Sequence, residues 1–326
     1  MARPLRIQYD GAVYHVTWRG NERPEIFRDD NDRKRFLQIL LQSLAVYGVK
    51  LYSYVLMNNH FHLLIETPKG NLGEFMRHFS ITYTGYFNRR HHRSGHLYQG
   101  RYKSILVDKD SYLSVLSRYI HLNPVKIKSM EKIPDQEKLA YLKQYRWSSL
   151  PGFLNRRKRE WYIDYGMVLA EYGGDTDKSR REYHKRIVAE LSKDNGIKDS
   201  VLGQSILGAQ KFVDWVTDNY LKGERDRERP SIREIQRHRS KDDIIRVIAK
   251  EVGKSLEDIK REKSSLRQIT MELLYRIGGL RGAEIGHLMG IGYTSVSQER
   301  RRLHERMQRD KKIVALMRRL ELKCND

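Results

Sequence analysis

Apolar side chains along the first 130 residues alternate between the two-residue period of strands and the 3.6-residue period of helices. The strands predicted from this pattern are Ala12–Trp18, Lys50–Met57, Phe61–Thr67 and His96–Val107. The helices predicted from it are Asp32–Tyr47, Leu72–Arg90 and Tyr112–Leu122, and Pro124 ends the last of them. The order β-α-β-β-α-β-α predicts an α+β fold, a ferredoxin-like antiparallel sheet with helices on one face.

The pattern changes twice further along the chain. Residues 147–220 are poorly periodic, with short helical signals at 179–191 and 210–220, and Lys222–Pro230 is charged and nearly free of apolar residues. From Ile232 to Leu320 only helical stripes remain. We therefore predict three parts: an α+β domain with an extension over 1–190, a helical connector and charged linker over 191–230, and an all-α domain over 231–326.

The charge of the chain predicts a nucleic-acid partner. Lys and Arg number 63 against 41 Asp and Glu, which gives a formal net charge of +22. The 20 tyrosines supply rings that can stack on bases. The alternative is a basic surface with no specific partner.

The cysteine content and the hydropathy of the chain limit the kinds of site that it can contain and the cellular locations that we expect for it. Cys324 is the only cysteine, which excludes an internal disulfide and a cysteine-based zinc site. No apolar run approaches the length of a membrane span, and the first residues lack the apolar segment of a signal peptide. We expect a soluble, cytoplasmic protein with no membrane partner.

The candidate chemistry lies on one predicted strand and one predicted helix. His60 and His62 share a strand face, and Tyr119 and Asn123, four residues apart, share a helix face. Two imidazoles and an amide oxygen could hold a metal beside a phenol nucleophile. The alternatives are a surface or hydrogen-bonded histidine pair, a Tyr119 that packs on the sheet and an Asn123 that only caps the helix.

Neighbouring residues compete for the same roles. Tyr98, Tyr102 and Tyr112 are the other candidate nucleophiles, but none has an amide four residues on. Glu66 is on the same strand face as the histidines; it either orients one of them or, the favoured interpretation, is a solvated carboxylate. His121 falls on a different helix face from Tyr119, so we expect a structural or DNA-contacting role for it.

Four segments in this order resemble the HUH single-tyrosine transposases, and among them the REP-associated tyrosine transposases. The segments are Asn59–Leu63, His96–Ser104, Arg118–Val125 and Trp147–Ser149. Each segment alone is a weak signal, whereas their combination, over about residues 1–190, is specific.

The resemblance implies cleavage and rejoining of single-stranded or hairpin DNA. It implies that Tyr119 attacks a phosphodiester and leaves a 5′-phosphotyrosine and a free 3′-hydroxyl, with Mg²⁺ or Mn²⁺ held by His60, His62 and Asn123. The basic residues that fit a path for the DNA are Arg89, Arg90, Arg101 and Lys103. A solvated helix terminus is the competing interpretation of the first two.

From about Lys241 the chain resembles the C-terminal helix-turn-helix DNA-binding domain of the replication initiator DnaA. The matching segments are Val247–Lys250, Leu256–Ile259, Leu266–Met271, Glu284–Gly290 and Tyr293–Ser297. The resemblance implies that this domain binds duplex DNA. The sequence departs from that of the initiator at Gly292-Tyr293, so the base preference of the initiator cannot be carried over to this chain. The resemblance implies that Thr294, Ser295 and Gln298 contact bases and that Arg267 contacts the DNA backbone or minor groove. Arg300 belongs to the basic run that is expected to hold phosphates. A helical bundle that binds protein is the alternative.

Together these features predict a metal-dependent tyrosine transposase, or a REP-element processing enzyme, with a duplex-binding tail. A non-catalytic DNA-binding regulator derived from a transposase is the alternative, and a nicking replication initiator is a third. The sequence does not decide whether the protein is a monomer or a homodimer. It also does not decide whether Tyr119 acts within its own subunit or across a dimer.

Overall fold

A computed structural model describes residues 6–21, 25–192, 197, 201–202, 205–221, 241–262, 264–278, 280, 282–308 and 310–325. The backbone contacts divide the chain into two compact units, one over Pro4–Phe212 and the other over Val213–Asp326 with the first three residues. The predicted linker at 222–230 lies outside the described residues. No helix among the described residues combines the length and apolar character needed to cross a bilayer.

The first unit is built on the predicted sheet. Its strands are β1 (Ala12–Arg19), β2 (Lys50–Leu56), β3 (His60–Thr67), β4 (Lys103–Val107) and a short β5 (Ile206–Leu207). Their order is β2-β3-β1-β4-β5; the first four strands pair antiparallel, and β5 joins β4 in parallel. The first four strands have the ferredoxin-like order that the sequence predicts, and β5 is an addition that it does not predict.

The first three helices of this unit are in the predicted order, and four further helices follow them. They are α1 (Asp30–Tyr47), α2 (Leu72–Arg90), α3 (Lys109–Leu122), α4 (Asp135–Gln144), α5 (Leu150–Leu154), α6 (Tyr165–Leu169) and α7 (Asp177–Glu190). Helix α8 (Gln210–Val216) follows β5 and continues as a π-helical turn, Thr217–Leu221. Asp29 caps α1 by accepting from Asn31 and Asp32 N–H, and Asp108 caps α3 in the same way.

The helices pack on both faces of the sheet, so the prediction of helices on one face is wrong for α3. Phe36 of α1 and Phe79 of α2 pack on Phe61, at ring-centroid distances of 5.0 and 6.1 Å. Side chains alternate along β3, so His62 points to the opposite face. Helix α3 packs on that face, against β2 and β3.

The segment after α3 covers the outer edge of β2. Leu56 N–H donates to the carbonyl of Trp147 (2.8 Å), and Ser149 N–H donates to the carbonyl of Tyr54 (3.1 Å). Ile163 then forms a bridge with Leu51. These bonds pair backbone groups that an edge strand would otherwise present to other chains.

The second unit is helical in its described residues. Its helices are α9 (Lys241–Val252), α10 (Leu256–Arg261), α11 (Ser265–Arg276), α12 (Gly282–Met289), α13 (Tyr293–Met307) and α14 (Lys311–Asn325). Ile248, Ile269, Leu273, Val296 and Leu303 are among the fully buried residues of its core. The predicted all-α architecture after the α+β part is confirmed.

Candidate active site

Strands β1 and β3 bring three histidines to one face of the sheet. Thr17 lies opposite His62, and Arg19 lies opposite His60, in the antiparallel register of the two strands. His15 is two residues before Thr17, so it points to the same face and lies diagonally beside His62. His60 and His62 are identifiable from the sequence alone, whereas His15 is not.

His15 and His62 are in direct contact. His15 Nε2 and His62 Nδ1 are 2.9 Å apart in a hydrogen bond, and the two rings stack with an interplanar angle of 15°. Burial lowers the pKa of His15 to about 4, so its ring is neutral at pH 7. Because Nδ1 of His62 takes part in this hydrogen bond, Nε2 is the ring atom of His62 that could bind a metal.

His60 is oriented by its neighbour in the chain. Its Nδ1 lies 2.7 Å from Oδ1 of Asn59, an atom that only accepts, so Nδ1–H of His60 is the donor. Its Nε2 then carries the lone pair. Burial, assisted by the positive charge of Arg19, lowers the pKa of His60 and favours the neutral imidazole that metal binding requires.

Helix α3 places Tyr119 against this histidine cluster. The ring of Tyr119 lies 6.0 Å from the ring of His15 and 6.3 Å from that of His62, edge-on to both. The phenol is half-buried. The structure therefore brings Tyr119 together with His62, as the sequence analysis expects.

The competing tyrosines lie elsewhere. Tyr98 stacks on Trp18 with ring centroids 4.3 Å apart and also contacts Phe61, so it belongs to the opposite face of the sheet. Tyr102 packs on the same tryptophan. Tyr112 lies two turns before Tyr119 on α3, about 10 Å along the helix.

Asn123 ends helix α3. Its side-chain amide donates to the carbonyl of Tyr119 (2.9 Å) and to that of Ile120 (3.3 Å). The capping role that the sequence left open is therefore present. Because the amide nitrogen of Asn123 donates these two hydrogen bonds, Oδ1 is the side-chain atom that could bind a metal.

The donor set fits a divalent ion with few protein ligands. Within the described residues no three His, Cys, Asp or Glu side chains group in a way that would hold a metal. Two imidazoles therefore need an amide oxygen, a phosphate oxygen or water to complete a coordination shell. Two neutral nitrogens and oxygen ligands suit Mn²⁺ well and Mg²⁺ acceptably.

Glu66 does not orient a histidine. It is buried and accepts hydrogen bonds from Lys109 (2.5 Å), Lys50 (3.0 Å) and the hydroxyl of Tyr52. Burial alone would raise the pKa of Glu66, but these three hydrogen bonds together lower it. The favoured interpretation of a solvated carboxylate is wrong; the residue is the centre of an ion-paired cluster.

His121 has a structural role. It is fully buried, with Nδ1 2.8 Å from the hydroxyl of Tyr183 and Nε2 2.8 Å from Oγ of Ser149. Burial lowers the pKa of His121 to about 3. Of the two roles that the sequence analysis allows this residue, the structural one is confirmed.

Strand register places Arg19 and Lys103 on the histidine face. Lys103 lies opposite Thr17 on β4, on the same face as His62, and is exposed. Arg19 is exposed opposite His60 and was not identified from the sequence, because its position depends on strand register. Arg89 and Arg101 are exposed, whereas Arg90 forms ion pairs with Asp29 (2.6 Å) and Asp32.

In the second unit, α12 and α13 are joined by the three residues Gly290–Gly292. Thr294 and Gln298 are exposed and Ser295 is half-buried, near the start of α13. The guanidinium of Arg300 lies 3.4 Å from the ring centroid of Tyr275 and pairs with buried Glu272 (2.8 Å). Arg267 is half-buried, and its Nε has no hydrogen-bond partner within the described residues.

Comparison with known proteins gives one family match and a distant structural likeness. Residues 8–123 match the family model described as "Transposase IS200 like". A solved REP-associated tyrosine transposase bound to a REP hairpin is similar at 14% identity; the match covers 51% of this chain and 93% of that chain, with a TM-score of 0.39. No curated protein matches the chain. The family match supports the resemblance to transposases over the segment that holds the three histidines, Tyr119 and Asn123.

Proposed function

We propose that the chain is a metal-dependent DNA transposase that cuts and rejoins single-stranded DNA through Tyr119. One observation supports this proposal above the others: His62 faces Tyr119, and His60 and His62 each have Nδ1 engaged in a hydrogen bond. The match of residues 8–123 to IS200-like transposases supports the same assignment.

The proposed step is a transesterification. The phenol oxygen of Tyr119 attacks the phosphorus of a phosphodiester and loses its proton. A bond forms between that oxygen and the 5′ phosphate, and the 3′ oxygen leaves and is protonated to a hydroxyl. The phosphotyrosine keeps the energy of the broken bond, so rejoining needs no external energy source.

His60 and His62 would hold the divalent ion through their Nε2 atoms, with Oδ1 of Asn123 as a third ligand. When bound, such an ion neutralises charge on the non-bridging oxygens of the scissile phosphate and orients it for in-line attack. Arg19 and Lys103, exposed on the same face, add positive charge along the path of the DNA backbone.

Each of the two imidazoles has a hydrogen-bond partner that is compatible with metal binding through Nε2. A metal-binding Nε2 on His62 requires a proton on Nδ1, which then donates to Nε2 of His15. Asn59 accepts from Nδ1–H of His60 in the same way. Partners of this kind orient ligand histidines and strengthen them as ligands.

The second unit is proposed to bind duplex DNA through α12 and α13. Thr294 and Gln298 are exposed near the start of α13, where a helix in the major groove presents side chains to base edges. Arg300 is held by Glu272, so the more exposed Arg301 and Arg302 are better placed to contact phosphates. A tail bound to duplex raises the effective concentration of the first unit at its single-stranded substrate.

The proposal includes domain boundaries near residues 190 and 230 and a cytoplasmic location. The test of the function is covalent capture. Purified protein is incubated with single-stranded DNA from beside its own gene, labelled at the 5′ or 3′ end, with and without Mn²⁺. We expect a denaturation-resistant adduct that keeps only the 3′ label and requires the metal. Firm binding to the same region with no adduct would favour the non-catalytic regulator.

A further inference from the structure

Trp161 is the most exposed large apolar residue in the part of the chain that the structure describes. Its side chain is 86% exposed, and its only ring contact there is edge-on to Tyr162. An indole left in water contributes little to folding, because burial of apolar surface is what stabilises a fold. Its position therefore calls for an explanation outside the core.

The backbone on either side of Trp161 is anchored. The carboxylate of Glu160 accepts from the hydroxyls of Tyr54 (2.8 Å) and Tyr162 (2.5 Å), and Glu160 N–H donates to the hydroxyl of Tyr165 (3.0 Å). Two residues after Trp161, Ile163 forms its bridge with β2. The indole thus projects from a fixed base.

Positive charge precedes the indole. Arg156, Arg157 and Lys158 form a 3₁₀ turn and are all exposed. In the described structure none of the three forms an ion pair, whereas Arg159 pairs with Asp175 (3.0 Å). Glu160, the one acid in the run, is engaged by two tyrosine hydroxyls. We name Arg156, Arg157, Lys158 and Trp161 the Trp161 patch.

We infer that the Trp161 patch binds single-stranded nucleic acid, with a base stacked on the indole and neighbouring phosphates on the three cations. Stacking surfaces beside cations are the general means of binding single strands without reading sequence. A second copy of this chain would be repelled by the three cations, since the chain itself has a net charge of +22.

The position of the patch suits a strand that also reaches the active site. Ile163 pairs beside Leu51, and Val55, four residues further along β2, lies opposite His62. The four residues from Leu51 to Val55 span about 13 Å, and Trp161 lies two residues before Ile163, so a strand of several nucleotides would reach from the patch to the active site. The inference rests on the proposed function in taking a single strand as the ligand, but binding at the patch needs neither metal nor cleavage.

The test measures binding in Tyr119→Phe protein without metal, so it does not depend on the chemistry. Fluorescence anisotropy follows a labelled single-stranded oligonucleotide. We expect Trp161→Ala to weaken binding about 5- to 150-fold, the range for loss of one stacked base, and Trp161→Phe to weaken it less. Arg156→Gln/Arg157→Gln/Lys158→Gln should also flatten the salt dependence of binding.

The matched control removes three exposed cations from α7, as Lys178→Gln/Arg181→Gln/Arg186→Gln. It makes the same change in net charge, so it should weaken binding less than the triple variant in the patch. An oligonucleotide with 5-iodouracil should crosslink to Trp161, as located by peptide mass spectrometry.

Unchanged affinity of Trp161→Ala would overturn the inference. So would a triple variant no weaker than its control, or a change confined to the sedimentation coefficient of the free protein, which would mark a self-association surface. If the patch variants lose binding while covalent capture fails in the wild type, the inference stands and the proposed enzyme function does not.

Discussion

His15 is the residue that links strand register to the chemistry of the site. Its Nε2 meets Nδ1 of His62 at 2.9 Å, a contact made across two strands that are 47 residues apart in sequence. His60 and His62 are visible in the sequence because alternation along one strand is a local property. Contacts of His15 and Arg19 depend on which residues face each other, which one sequence does not reveal.

Replacement of His15 should weaken metal binding at the site. His15→Phe removes the acceptor for Nδ1–H of His62, and we expect a loss of about 10- to 100-fold in Mn²⁺ affinity, measured by electron paramagnetic resonance titration. His15→Gln, which keeps an acceptor oxygen, should lose less. His184→Gln, on α7, is the control. Equal affinities of His15→Phe and the wild type would contradict the positioning role.

The buried imidazole of His121 should make stability depend on pH. Burial lowers the pKa of His121 to about 3, below its unfolded value near 6.5, so between these values the unfolded chain binds a proton that the folded chain does not. Stability is then lost as pH falls from 6.5 towards 3, by on the order of 1 kcal/mol per pH unit from this residue.

Urea unfolding at pH 7, 6 and 5 measures this dependence. His121→Gln cannot take up the proton, so its stability should fall less steeply with pH than that of the wild type. The variant should also be less stable at pH 7, because the bonds to Tyr183 and Ser149 are altered. Parallel pH profiles for the two proteins would show that His121 does not contribute to the acid sensitivity.

At the scale of elements, the turn between α12 and α13 depends on the close approach of Gly286 to the carbonyl of Ile291. A Cβ on Gly286 would lie 2.6 Å from the carbonyl oxygen of Ile291, whereas a Cβ on Gly292 would meet no atom within 4 Å. Ile291 N–H also donates to the carbonyl of Gly286 (2.9 Å). The glycine therefore permits the helix to pack directly on the turn.

Gly286→Ala should open this turn, at a cost of about 1–3 kcal/mol, and Gly292→Ala should be nearly neutral. Hydrogen exchange followed by mass spectrometry on peptides that contain Ile291 and Val296 reports the opening. We expect faster exchange and weaker duplex binding for Gly286→Ala alone. Equal exchange in the two variants would mean that the turn tolerates the added methyl group.

The face chosen by α3 was not predictable, whereas that of α1 and α2 was. Each of α1 and α2 connects two parallel strands of the sheet, and the right-handed preference of such crossovers places both on one side. The strand that follows α3 and pairs in parallel with β4 is β5, which has two residues and is not predicted by the sequence pattern, so the handedness rule could not be applied to α3. Its face is decided by packing on β2 and β3, which depends on the whole unit.

Short pieces of the sheet were also beyond the sequence pattern. Strand β5 has two residues, too few for a period to appear. The predicted strand His96–Val107 is a strand only from Lys103, because Gly95 and Gly100 adopt φ of +85° and +56° and turn the chain. Tyr98 keeps one bridge, to Gly20, as a remnant of that pairing.

At the scale of the whole molecule, the net charge of +22 should make DNA binding strongly salt-dependent. Release of counterions predicts that the logarithm of the duplex binding constant falls linearly with the logarithm of salt concentration, by about 0.9 per phosphate contact. We expect a slope of about −5 or steeper, measured by anisotropy between 50 and 200 mM salt. A slope near zero would rule out binding through phosphate contacts.

The change from an α+β part to an all-α part was predictable because the hydrophobic period itself changes along the chain. Alternation of strands and helices gives way to helices alone, and each described unit has its own buried core. The cation-flanked indole of the Trp161 patch was not predictable, since exposure of a tryptophan follows from the fold and not from its neighbours in sequence.

The most direct test of the central claim locates the covalent bond. Wild-type protein and Tyr119→Phe are incubated with single-stranded DNA and Mn²⁺, treated with nuclease and protease, and analysed by mass spectrometry. We expect a nucleotide attached through phosphate to the peptide containing Tyr119, and no modified peptide from Tyr119→Phe, which should bind the same DNA with unchanged affinity. A nucleotide on Tyr112 or any other residue, or equal capture by both proteins, would contradict the assignment of Tyr119 as the nucleophile.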